Sequence, residues 1–196
     1  MSVPPAPPLL LASVSPQRRA ILEQLRIPFE VVTPRYREDD VDDDPVGLVR
    51  AHALGKARSV QRQAGDRPVL GVDTAVVVDG TAFGKPSGPE EAERMLETLS
   101  GRTHEVVSGL CLSTRAWEEV AHETTRVRFR SLTPRDIAHY LHEDEWRDRA
   151  GAYAIQGLGG SLVERIEGDY LNVVGLPAAL LVKLLAERFA GVYGFG

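Results

Sequence analysis

The chain has 196 residues, a formal net charge of −5, and an ordinary globular composition of 43% apolar and 26% charged residues. Its length suits one large domain or two joined lobes, and its acidic balance argues against a broad nucleic-acid surface while leaving room for a small basic pocket around one anionic ligand. No apolar run approaches the roughly 18 residues of a membrane helix, MSVPPAPP lacks the features of a secretory signal, and the single cysteine, Cys111, excludes an intrachain disulfide and fits a reducing, cytoplasmic setting.

Residues 1–8 read as a flexible proline-rich lead-in to a single domain spanning 1–196. Leu9 to Ala12 reads as a short buried strand. Ser15 is placed to cap a helix that starts at Pro16, whose missing N–H costs nothing there. Phe29 to Thr33 reads as a second strand. Arg35 to Asp44 is a charged loop, acidic from Glu38 onward. A helix is expected from Pro45, with Val46, Val49, Ala53 and Ala57 inward and Lys56 near its far end. Pro68 to Val78 is the strongest strand, and Asp79-Gly80 is a hairpin pair that returns through Thr81 to Phe83. Pro89 to Leu99 is helical, with Ala92, Met95, Leu96 and Leu99 on its apolar face. Thr103 to Ser113 and Glu118 to Arg130 alternate as long strands. A helix opens at Thr133-Pro134 and ends near Leu141. Gly151 to Leu176 is expected to hold glycine turns and short strands, and Leu176 to Phe189 closes the chain as a helix. Helices alternate with strands early, whereas the middle favours antiparallel strands. The expected class is α/β, with a mixed, twisted sheet flanked by helices.

Several residues could carry chemistry. The strand, Ser-containing loop and helix N-terminus at Ser13 to Arg19 offer amides, two hydroxyls and the Arg18 fork to an anion. The same stretch also reads as a capped helix with two solvated arginines. Asp73 sits within an apolar strand, where an unpartnered carboxylate is costly. By alternation it shares a face with Gly71 and Ala75, small neighbours that would leave room for a metal ion, water and substrate. The alternative is an Asp paired with a nearby Arg or Lys. Lys56 and Lys85, with Arg18, could neutralise a polyphosphate, although each alone reads as a surface lysine. Glu38 could join Asp73 as an oxygen ligand for Mg²⁺. Gln156, beside Gly157, could read the edge of a base, or lie in a plain turn. His52, His104, His122, His139 and His142 show no zinc-like spacing and read as surface or packing residues. Cys111 reads as packed in its strand.

These pieces resemble the Maf family of nucleoside triphosphate pyrophosphatases, historically linked to septum formation. The matching blocks are LASVSPQRR, GVDTAVVVDG leading to FGKP, LSGRTHEVVSG, GAYAIQGLGG followed by VERIEGDY, and NVVGLP, in family order from about Leu9 to Pro177. The resemblance implies a two-lobed α/β fold with a central cleft, similar to the inosine triphosphatase architecture. It implies cleavage of a nucleoside triphosphate to the monophosphate and pyrophosphate, dependent on a divalent metal: Mg²⁺, with Mn²⁺ or Co²⁺ as substitutes. Asp73 falls at the family's proton acceptor. Ser13, Ser15, Arg18, Lys56 and Lys85 fall on substrate-binding positions, with Glu38 and Asp73 as metal ligands. Thr74 and Gln156 match the branch that acts on dTTP and UTP. Gln17 departs from that branch, which usually carries Arg there, and so keeps base choice open. Lesser departures are Arg149 and Leu171. The resemblance also implies a homodimer, with a nucleotide as partner and neither nucleic acid nor membrane. Two alternatives stand beside this reading: a Maf-like pyrophosphatase for other modified nucleotides such as 7-methyl-GTP, and a non-catalytic nucleotide-binding regulator of cell division.

Overall fold

The computed structural model describes residues 6–38 and 44–196. Most of the expected lead-in and the acidic run from Asp39 to Asp43 lie outside the described residues. The elements in chain order are β1 (Leu9–Leu11), α1 (Pro16–Gln24), β2 (Phe29–Val31), α2 (Pro45–Ala64), β3 (Val69–Val78), β4 (Thr81–Phe83), α3 (Pro89–Leu99), β5 (Thr103–Ser113), β6 (Glu118–Phe129), α4 (Pro134–His142), β7 (Val163–Glu167), α5 (Tyr170–Val174) and α6 (Ala178–Phe189).

Local chemistry explains the boundaries. Proline stands at the start of α1, α2, α3 and α4, where the helix has no use for its N–H. Ser15, Asp44 and Thr133 cap α1, α2 and α4 with side-chain oxygens, and Asp136 completes a reciprocal capping box with Thr133. Asp79 and Gly80 both take positive φ, 49° and 78°, as the tight turn from β3 to β4 requires.

The strands form one seven-stranded sheet in the order β2-β1-β3-β5-β6-β7, with β4 attached to β3. β1 pairs in parallel with β2 and β3, while β4 to β7 pair antiparallel. The expected mixed α/β sheet flanked by helices is therefore present. Two expectations differ. α2 runs to Ala64, so Lys56 lies in its middle and not near its end. The glycine-rich stretch after Gly151 forms short 3₁₀ turns, a single strand and the short α5. Its glycines serve close packing: a Cβ at Gly159 would stand 2.5 Å from the Ala154 carbonyl oxygen.

The sheet carries α2 on one face and the other long helices on the opposite face. On that second face there are two cores. Val72, Leu110 and Leu70 pack with α1 and α6; Val76, Val106 and Phe129 pack with α3 and α4. Thr74 falls between Val72 and Val76, and with its cross-strand neighbour Ser108 it forms a polar seam between the cores.

On the α2 face, the small residues of β3 and β5 do something other than expected. A Cβ at Gly71 would stand 2.1 Å from the Ala53 carbonyl oxygen, and one at Gly109 would stand 2.1 Å from that of Val49. The space beside Asp73 left by Gly71 and its neighbours is filled by the backbone of α2, which only glycine permits to approach so closely. That approach brings the side chains of α2 onto Asp73.

Candidate functional site

β3 is the axis of the site. One edge pairs with β5 along almost its full length. On the other edge β1 pairs at Val69 and Leu70, and β4 pairs from Val76 to Val78. Between those two contacts, residues 71–75 have no strand neighbour on that edge among the described residues. Asp73 and Thr74 stand at this gap, on opposite faces of the sheet.

Asp73 gathers charge on the α2 face. His52 and Lys56 lie one helical turn apart and project together. Lys56 Nζ donates to Asp73 Oδ1 at 2.6 Å and also meets Glu38 Oε1 at 2.6 Å. His52 Nδ1 lies 3.3 Å from Asp73 Oδ2. The side chains of Lys56 and Asp73 are 9% and 14% exposed, whereas Glu38 is 49% exposed and forms the open rim. Burial pushes the Asp73 carboxyl up, but the hydrogen bond from His52 and the charges of Lys56 and Arg18 outweigh it and hold the group at about 2. The hydrogen bond to Asp73 raises the His52 imidazole, against burial and the Lys56 charge.

Arg18 works on the other face. Its Nε donates to the Gly175 carbonyl at 2.9 Å, Nη1 to Ser13 Oγ at 3.0 Å and Nη2 to Thr74 Oγ1 at 3.3 Å. The guanidinium thus ties the β1–α1 turn to β3 and to the end of α5. Burial lowers its pKa while the charges of Asp73 and Glu38 oppose that. Ser13 Oγ also accepts from the Ser15 amide at 3.3 Å, and Ser15 Oγ donates to Gln17 Oε1 at 3.0 Å. Ser15 Oγ accepts from the Arg18 amide as well, at 3.5 Å. Much of the polar capacity expected for an anion at this turn is spent within the turn itself.

The structure therefore brings together Ser13, Ser15, Gln17, Arg18 and Thr74 on one side, and Glu38, Lys56 and Asp73 on the other. It does not join Lys85 or Gln156 to them. Lys85 is 67% exposed and pairs with Asp148 at 3.9 Å, and Gln156 is exposed at the head of a turn. His52 is the residue that sequence reading missed. Its signal was present: it precedes Lys56 by four residues on the helix, so any helix that presents Lys56 to Asp73 presents His52 as well.

The donor set fits a divalent cation. One ligand atom each from Glu38, His52 and Asp73 lies within 4.8 Å of the others. Two carboxylates suit a hard cation, and Lys56 holds the place between them that a cation would take. A cavity of about 270 Å³ beside α3, lined by Phe83, Gly84 and Arg94 among others, contains none of these residues. The side-chain chemistry at the gap in β3, and not that hollow, marks the site.

A family model described as Maf-like protein matches residues 8–188. The chain belongs to the Maf family. It is 50% identical over 181 residues to the dTTP/UTP pyrophosphatase of Gloeobacter violaceus, which covers 91% of this chain and 95% of that protein. It is 44% identical over 191 residues to the dTTP/UTP pyrophosphatase of Deinococcus radiodurans, covering 97% of each. The dTTP/UTP pyrophosphatase of Moorella thermoacetica is 47% identical over 189 residues, covering 95% of this chain and 97% of that one. Among the described residues, no helix is long and apolar enough to cross a membrane.

Proposed function

We propose that this Maf-family chain is a nucleoside triphosphate pyrophosphatase that hydrolyses dTTP and UTP to the monophosphate and pyrophosphate. The observation that carries the reading is the charge cluster at the gap in β3, where one lysine bridges two carboxylates beside a buried arginine. Near-full-length relatives named for this activity support it.

Glu38 and Asp73 would hold a divalent metal, Mg²⁺ or in its place Mn²⁺ or Co²⁺. When bound, the metal supplies charge to the phosphate oxygens and polarises the phosphorus they surround. The protein's part begins with Lys56. Its ammonium leaves the two carboxylates for the incoming phosphates, where a compact cation offsets the charge that grows on departing pyrophosphate. Asp73, held at about 2 by His52, Lys56 and Arg18 together, is ionised in the resting arrangement. Departure of Lys56 frees Asp73 Oδ1 for a water molecule. Asp73 then orients the attacking water and takes its proton. Ser13, Ser15, Arg18 and Lys85 bind the phosphate chain, Lys85 through movement of its exposed turn. Gln17, Thr74 and Gln156 set base choice. Reactions of this class need few groups beyond those that position and neutralise. The reading includes a cytoplasmic homodimer.

The test is pyrophosphate release with Mg²⁺ across dTTP, UTP, CTP, the purine triphosphates, 5-methyl-UTP, pseudo-UTP and 7-methyl-GTP. Turnover of dTTP and UTP above the rest is the expected result. Preferred turnover of 7-methyl-GTP would overturn the substrate class. Tight binding of a nucleotide with no turnover of any would replace the enzyme by a nucleotide-binding regulator.

A further inference from the structure

We infer that His52 is the positioning residue of Asp73, fixing one carboxylate oxygen so that the other faces Glu38. The inference rests on the pyrophosphatase reading above and adds to it a residue outside the expected site.

The two oxygens of Asp73 have separate partners. Oδ2 faces His52 Nδ1 at 3.3 Å, and Oδ1 faces Lys56 Nζ at 2.6 Å. An ionised carboxylate can only accept, so the ring nitrogen that faces it carries a proton; a lone pair there would repel the carboxylate. This assignment of the tautomer comes from the hydrogen-bond partners. A protonated Nδ1 orients Asp73 and does not ligate a cation through that nitrogen. With Oδ2 engaged, Oδ1 is the oxygen turned towards Lys56 and the Glu38 carboxylate, which Lys56 also contacts.

The ring itself is poorly explained by packing. The His52 side chain is 8% exposed, and its Nε2 is buried without a hydrogen-bond partner. An unmatched buried polar atom lowers stability. Tyr36 meets the ring edge-on at 5.8 Å, a contact a leucine side chain could also make. On this helix face an aliphatic side chain would fill similar space with no unmatched nitrogen. What the imidazole adds is the single bond to Asp73 Oδ2. A ring with one nitrogen unmatched and the other bonded only to the central carboxylate is placed for the site and not for the core.

The experiment compares wild type with His52→Leu, His52→Asn and His52→Gln, reading kcat and KM for dTTP, thermal unfolding, and Mn²⁺ affinity in nucleotide-free protein. Asn carries its amide nitrogen near the position of Nδ1, whereas Gln carries it near Nε2. His52→Leu exchanges an unmatched Nε2 for an unmatched Asp73 Oδ2 and is expected to unfold at or somewhat below the wild-type temperature, with kcat down roughly 10–100-fold and Mn²⁺ bound about tenfold more weakly, as for lost partners of ligating groups. KM should change little. His52→Asn should recover most of the loss and His52→Gln should not. The inference is overturned if His52→Leu keeps wild-type kcat and Mn²⁺ affinity, or if Asn recovers no more than Gln. It is also overturned if pulsed EPR of bound Mn²⁺ shows a directly coordinated imidazole nitrogen that His52→Leu removes. Should His52→Leu fail to fold, the Asn–Gln contrast decides. A wild type inactive on every nucleotide would sink the enzymatic reading alone, and the Mn²⁺ titrations would still decide the role of His52.

Discussion

Gly109→Ala tests whether the close seat of α2 is what assembles the site. A Cβ at Gly109 would stand 2.1 Å from the Val49 carbonyl oxygen and 2.7 Å from the Arg50 nitrogen. Ordinary contact begins near 3.4 Å, so the helix must lift locally by about 1.3 Å. His52 follows Val49 by one turn, and its Nδ1 already lies 3.3 Å from Asp73 Oδ2. A lift of that size takes the pair beyond the ~3.5 Å limit of a hydrogen bond. Lys56, farther along and on a flexible stem, can follow in part. Overpacking of this kind costs about 1–3 kcal/mol, and displacement of reacting groups by about 1 Å costs on the order of a hundredfold in rate. The assay is kcat for dTTP at a temperature where wild type and variant are both fully folded by circular dichroism, with urea unfolding alongside. Gly88→Ala is the control, because its Cβ would meet nothing closer than the end of the Glu90 side chain at 3.5 Å. A Gly109→Ala enzyme with wild-type kcat and wild-type stability would refute the claim that glycine contact with α2 positions His52 and Lys56.

Asp73→Asn should keep the shape of the site and lower kcat by roughly a hundredfold or more, as expected for loss of a group that handles the proton; near-normal pyrophosphate release would remove Asp73 from the mechanism. Burial lowers His104 to about 4 from an ordinary 6.5, so the folded ring stays neutral while the unfolded chain takes up a proton. Stability is therefore complete above pH 6.5 and falls as pH drops towards about 4, by up to about 3 kcal/mol. The difference between wild type and His104→Gln in urea unfolding across that window isolates the effect, and parallel curves would contradict it. Burial pushes the Cys111 thiol up to about 12, so an aromatic disulfide reagent should react with it at the rate of global unfolding and not before; prompt reaction in the native protein would contradict the packed placement.

The elements were legible because their signals are local. The apolar run from Pro68 to Val78, proline at four helix starts, and the Ser15 and Thr133 caps each act within a few residues. The stretch after Gly151 was harder. Its glycines suggested turns between short strands, yet some serve close contact with residues far along the chain: a Cβ at Gly151 would stand 2.7 Å from the Val76 side chain, and one at Gly157 would stand 2.4 Å from the Glu145 carboxylate. Nothing within a few residues announces such a contact.

The site divides along the same line. Ser15 could be read as a cap because the bond it makes is three residues long. Arg18 could be named as a site residue but not understood from its neighbours, since its partners are Thr74 and Gly175, fixed only by the sheet and α5. Gly71 and Asp73 show the limit most sharply. The small residue was read as space for a ligand, whereas the space is filled by a helix whose arrival places Lys56 and His52 on the carboxylate. The other reading of Asp73, a carboxylate paired with a nearby Lys, is the arrangement found: a helix bearing a lysine and an imidazole supplies the charge partner that the buried Asp required. His52 remained hidden because its value depends on the tilt and height of α2 over β3. Two glycines on neighbouring strands set that height, and their effect can be weighed only after the strands are paired.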